Sequence, residues 1–137
     1  MRDIGKRPVM KIAIIGSGLS GLACADSLVA AGHEVRLFDK ARGPGGRMST
    51  RRAETVDGQA SFDHGAQYFT ARDSAFKTVV HEWQNLGVAA RWPAAGDDAW
   101  VGVPAMNSPI KTMAAHQDVT WSCRIDKIDK TKDGWQL

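Results

Sequence analysis

An α/β fold built on a parallel strand–helix–strand unit is what this sequence predicts, on three observations. The β-branched run "MKIAIIG" (residues 10–16) precedes "LSGLACADSLVAA" (19–31), a stretch rich in helix formers that Gly32 is suited to stop. A second apolar run, "EVRLF" (34–38), follows at once. Parallel neighbours need a crossover of this length, so the three segments read as a βαβ unit. The unbroken apolarity of the first run fits a strand buried on both faces.

The remaining elements follow in order. "RRAETV" and "QASFD" flank Asp57-Gly58, a hairpin signal. Asp73 or Ser74 is placed to cap a helix through Leu86, stopped by Gly87, with Phe76, Val79, Val80 and Trp83 on one face. "VAARW" (88–92) and "WVGV" (100–103) read as short strands around a Gly/Asp turn. Ser108-Pro109 is a cap-plus-first-position pair for a short helix through Ala115. "VTWSCRIDKI" (119–128) reads as a strand, and "KTKDGWQL" begins a return strand. No repeat or low-complexity tract interrupts the series.

Composition sets bounds on function. The 137 residues suffice for one modest domain, and 43% apolar with 24% charged residues is globular. A net charge of +3 suits anionic ligands and falls far short of the basic field of a dedicated nucleic-acid binder. The five tryptophans are dispersed, which favours packing over a base-stacking platform. Cys24 and Cys123 match no metal spacing and are expected as reduced, partly buried thiols, which points to the cytoplasm. No membrane span is expected, and no metal site. The start mimics a signal peptide, but Gly16, Ser17, Gly18, Ser20 and Gly21 interrupt its apolar core. Residues 1–9 are expected to be a disordered leader or an upstream start.

The chemistry lies in three segments. The first is Gly16-Ser17-Gly18-Leu19-Ser20-Gly21. Gly16 permits the turn out of the strand, Gly18 allows a pyrophosphate close to the backbone, and Gly21 lets the helix pack near the sheet. The helix N-terminus adds free N–H groups and a positive dipole end. Asp39, 18 residues beyond Gly21, ends the second strand where a carboxylate can hold ribose hydroxyls. The second segment, "DKARGPGGRM" (39–48), places Lys40, Arg42 and Arg47 around Gly45 and Gly46. Such a loop would run back past the pyrophosphate, with glycines giving access and arginine supplying delocalised charge. Arg51 and Arg52 read as a solvated strand face. The third segment is "FDHGAQYFT" (62–70).

The acid, the basic stretch and the Gly-Gly-Arg that follows resemble the flavin-containing amine oxidase superfamily. Within it, the renalase-like branch typically carries Lys-x-Arg-Gly-x-Gly-Gly-Arg-Met, matched here from Lys40 to Met48. "FDHGAQ" is similar to the Asp-x-Gly-Ala segment that runs beside the flavin ring in that superfamily. "VGVPAMNSPIKTMA" resembles a further stretch of the branch, with Ala105 in place of a glycine. Asp39 stands where many relatives have Glu, and Ala41 where they have Arg.

The resemblance implies a Rossmann-like FAD-binding domain of the glutathione-reductase-like type, with an added β-hairpin and short helices, C-terminally incomplete. It implies FAD contacts from Gly16 to Gly21, at Asp39, Lys40, Arg42 and Gly45 to Met48, at Gly65, Ala66 and Gln67, and from the main chain near Arg124. Asp63 is implied to be a structural carboxylate; His64 could be a general base or a covalent flavin tether, but a lone histidine in such a turn reads first as a hydrogen-bonding partner. No catalytic residue is identified. Residues 10–70 would form the FAD-binding unit, 71–118 an insertion on the substrate side, and 119–137 the return strand and the start of a hairpin. The activity implied is hydride transfer from an amine or a reduced nicotinamide dinucleotide to flavin, with O₂ as acceptor. Activity of this chain alone and its oligomeric state stay unassigned. Two alternatives stand beside it: an NAD(P)-binding module, and a truncated, non-catalytic remnant.

Overall fold

The computed structural model describes residues 8–137. The expected leader falls largely on residues 1–7, outside the described residues.

The chain opens with β1 (Lys11–Ile15), α1 (Leu19–Ala30) and β2 (Glu34–Phe38). β1 and β2 pair in parallel, Lys11 opposite Glu34 through Ile15 opposite Phe38. α1 ends where expected, with Ala31 as C-cap and Gly32 at φ +86°, a left-handed position that costs glycine nothing. A hairpin follows, β3 (Thr50–Thr55) with β4 (Gly58–Asp63). Its two-residue connection is Val56-Asp57 rather than Asp57-Gly58, because Gly58 pairs with Thr55 and takes φ +107° as the first strand residue.

β5 (Phe69–Thr70) leads to α2 (Ser74–Asn85), β6 (Ala89–Arg91) and β7 (Ala99–Gly102). These strands form an antiparallel sheet in the order β5-β7-β6. The Asp73 carboxylate accepts the Phe76 N–H at 3.0 Å and caps α2. Val80 and Trp83 are buried against this sheet and Phe76 half-buried, whereas Val79 turns outward. α3 (Ser108–Ala114) begins one residue earlier than its sequence cap implies. Asn107 is the cap, and the Ser108 hydroxyl accepts the Ala105 N–H at 3.3 Å.

β8 (Val119–Thr120) joins β2 in parallel and completes a sheet in the order β1-β2-β8. The expected strand over 119–128 is therefore mostly absent. Ser122 takes φ +54°, and the Ser122 and Cys123 N–H groups donate to the carbonyls of Ala41 and Asp39, both at 2.8 Å. The segment thus follows the turn at the end of β2 and loses strand geometry with it. β9 (Asp129–Lys130) and β10 (Trp135–Gln136) form a short hairpin. The parallel sheet flanked by helices makes this an α/β Rossmann-like domain.

Two apolar clusters hold these elements together. Leu22 and Ala25 of α1, Leu37 of β2, Met48, Met106 and Ile110 form one. Ala71, Val80, Trp83, Ala89 and Trp100 form the other. Leu19, Phe69 and Met113 pack against both. β1 is not buried on both faces as its composition implied: Lys11, Ala13 and Ile15 are exposed while Ile14 packs inward. α1 and α3 cover one face only, and no described helix covers the other. Cys24 is likewise exposed rather than partly buried, while Cys123 is half-buried.

Leu37, at the centre of the parallel sheet, is wholly buried. Leu37→Ala is expected to lower unfolding free energy by about 2–5 kcal/mol in urea titrations, the range for a buried leucine cavity.

Candidate functional site: a cleft walled by glycine turns

β1 delivers the chain into Gly16 at φ +100°, and α1 starts from Gly18. The first intrahelical bond runs from Leu22 N–H to the Gly18 carbonyl at 3.0 Å. The N–H groups of Leu19, Ser20 and Gly21 precede it, and no acidic side chain occupies this turn. The positive end of the helix is thus left for an external anion. Gly21 is required by packing, since a Cβ there would overlap the Gly16 carbonyl.

The second turn, Gly45–Met48, comes to the first. A Cβ on Gly46 would lie 3.3 Å from the Gly18 Cα, and Gly46 itself takes φ +55°. Gly45 is buried, and a Cβ on it would stand 2.7 Å from the Ser49 Cα. The third turn closes on the second: Ala66 N–H donates to the Arg47 carbonyl at 2.8 Å. A Cβ on Gly65 would overlap that same carbonyl.

Together the three turns wall an open cleft of about 590 Å³, larger than the hollows of 450 and 280 Å³ elsewhere on the described surface. Gly16, Gly18, Leu19, Ser20 and Gly21 line it from the first turn, Gly45 to Met48 from the second, and Ala66 from the third. Ile15 and Phe69 also line it, and sequence reasoning missed both. Phe69 is also a packing residue, standing edge-on to Trp83 at 6.1 Å. Arg47 is the one charged residue in the lining.

Other expected contacts fall outside the lining. Lys40, Arg42, Gln67 and Arg124 are exposed beyond it, and Gly65, also outside the lining, lies against the Arg47 carbonyl. Ser17 is buried, and its N–H and hydroxyl both donate to one Asp39 oxygen at 2.7 Å. The other Asp39 oxygen accepts the Ala41 N–H at 2.8 Å. Asp39 therefore braces the first turn against the end of β2, and the Ser17 donors are engaged inside the chain. Burial raises the Asp39 pKa, but the Ala41 and Ser17 N–H groups, the Ser17 hydroxyl and Lys40 outweigh it and hold the carboxyl below its ordinary value.

Asp63 has the structural role its segment implied. Its Oδ1 accepts the Thr50 hydroxyl at 2.5 Å and the Met106 N–H at 3.1 Å. His64 Nε2 lies 3.4 Å from the Ser49 hydroxyl. Among the described residues no cluster of histidine, cysteine and carboxylate side chains is arranged to hold a metal. No described helix is long and apolar enough to cross a membrane.

A parallel βαβ unit whose glycine turn opens an acid-free helix N-terminus onto a cleft defines a dinucleotide-binding Rossmann-like domain. Residues 14–83 match the family model described as NAD(P)-binding Rossmann-like domain, and the chain belongs to that family. Over 40 residues it is 52% identical to the 4,4'-diapophytoene desaturases (4,4'-diaponeurosporene-forming) of Staphylococcus aureus strains Newman and USA300. That match covers 29% of this chain and 8% of each relative. The domain is thus of an oxidoreductase-like family, distantly related to the phytoene-desaturase and amine-oxidase superfamily.

Two outcomes follow from this geometry. Gly21→Ala forces a methyl group against the Gly16 carbonyl and is expected to cost about 1–3 kcal/mol of stability in denaturant titrations. Because the Asp39 pKa is lowered on folding, its stabilising contribution is complete above the ordinary value of 3.8 and is lost as pH falls through the lower folded value. Asp39→Asn should therefore flatten the stability–pH profile in that acid limb, as read by thermal melts at successive pH values.

Proposed function

We propose that this chain is the FAD-binding portion of a flavin-dependent oxidoreductase of the amine oxidase or renalase-like kind. The observation that carries the reading is the second glycine turn. A nicotinamide-binding βαβ unit has no need of a Gly-Gly-Arg turn beside the first, yet Gly46 here abuts Gly18. The residues suit a diphosphate: glycine backbone on two sides, unpartnered helix N–H groups, one arginine and no lining carboxylate.

Each group has a part in this reading. The α1 N-terminus and the Gly45–Gly46 backbone bind the diphosphate, and Arg47 supplies charge. Asp39 holds the first turn in shape and offers its remaining acceptor capacity to a ribose. Lys40 and Arg42 flank the entrance, and the main chain near Arg124 lies on the adenine side. The main chain at Ala66, with Gln67 at the rim, would hold the ring edge, and Met48 and Phe69 supply apolar surface in the cleft. FAD, held by these residues, would supply the redox chemistry for oxidising an amine or a reduced nicotinamide dinucleotide with O₂ as acceptor. Residues 10–70 and 119–137 serve the cofactor and 71–118 the substrate side, with α3 also packing on the cofactor unit, in the cytoplasm.

The visible spectrum of the purified chain tests this. The expected result is the two flavin bands, with FAD released on denaturation, and affinity reduced about tenfold by Arg47→Ala in fluorescence titrations. Colourless protein that ignores FAD but melts later with NAD overturns the flavin reading in favour of a nicotinamide module. Colourless protein stabilised by neither overturns both.

A further inference from the structure

We infer that Asn107 is a positioning residue for the second glycine turn, and that through it α3 sets the diphosphate wall of the cleft. The inference rests on the dinucleotide reading of that cleft.

Asn107 is 7% exposed, just ahead of α3. Its Nδ2 donates to the Pro44 carbonyl at 3.3 Å, 63 residues away in sequence. Its backbone N–H donates to the Thr50 hydroxyl at 3.4 Å, and that hydroxyl donates to Asp63. Pro44 immediately precedes Gly45–Met48 and Thr50 follows it by two residues, so Asn107 grips the turn at both ends. The turn needs such a grip. Residues 43, 45 and 46 are glycines, which lose the most conformational freedom on being fixed.

A side chain present only to fill space would not be an amide here. Asn107 Oδ1 is buried without a partner, a cost that an apolar residue of similar volume would not incur. What the amide contributes is the Nδ2 bond to Pro44. Pro44 is half-buried, so its carbonyl can reach water when that bond is removed. Asn107→Leu therefore separates positioning from stability: the fold persists and the turn loosens.

Hydrogen exchange of the ligand-free chain and nucleotide affinity test this together. In Asn107→Leu, the amides of Met48 and Ser49, which donate to the Gly45 and Gly46 carbonyls, should exchange about tenfold faster while those of α1 are unchanged, and the melting temperature should stay within about 3 °C. The dissociation constant for ADP should rise about tenfold and that for adenosine should not change, because only the phosphates meet the turn. Should Asn107→Leu not fold, the near-isosteric Asn107→Asp replaces the donor with an oxygen facing the Pro44 carbonyl, and the same local loosening is expected. Unchanged exchange at Met48 and Ser49 in the variant that folds, or equal losses for ADP and adenosine, overturns the inference. Faster exchange in a protein whose wild type binds no ADP upholds the grip on the turn and overturns the dinucleotide reading.

Discussion

The approach of Gly46 to Gly18 is the contact on which the rest of the site depends. Two backbone turns, from segments well separated in sequence, come so close that one added methyl group would press on the opposing Cα at 3.3 Å. No side chain intervenes between the two turns, so they offer the cleft main-chain N–H groups held by the fold, with Arg47 adding its charge to the lining. Such donors need no reorganisation when an anion arrives, and the helix dipole behind them is already aligned. The site is made of shape and backbone polarity first and of side-chain charge second.

Each turn has its own brace. The first is tied to the end of β2 by Asp39, which takes both donors of Ser17 and the Ala41 N–H. The second is held from both ends by Asn107, and Asp63 steadies the partner Thr50. The third is fixed by the bond from Ala66 to Arg47 and by the space that only Gly65 leaves. The apolar clusters meet at Leu19, Phe69 and Met113, so the helix that presents the first turn is packed against the sheet that carries the far wall. Distortion in either layer would therefore reach the cleft.

Local chemistry explains what the sequence made legible. The βαβ unit could be read to within a residue or two, because apolar runs, a helix-forming stretch and Gly32 all agree on one arrangement. The three glycine segments were likewise readable as turns, and the fold brings them together at one cleft. The hairpin slipped by one residue because Gly58 serves a strand as readily as a turn. Residues 121–128 looked like a strand from composition, but their neighbour is the turn after β2, and pairing rather than propensity decides a strand. Nothing in the pattern marked Asn107 or the second partner of Asp63. Those bonds span 63 and 43 residues, and only the folded chain brings their ends together.

The most direct test of the central claim is a backbone amide NMR titration of the chain with ADP. The account predicts that resonances of residues 16–21 and of 45–47 shift together, along a single binding curve with one dissociation constant. Shifts confined to residues 16–21, with the Gly45–Gly46 amides unmoved at saturation, would contradict it.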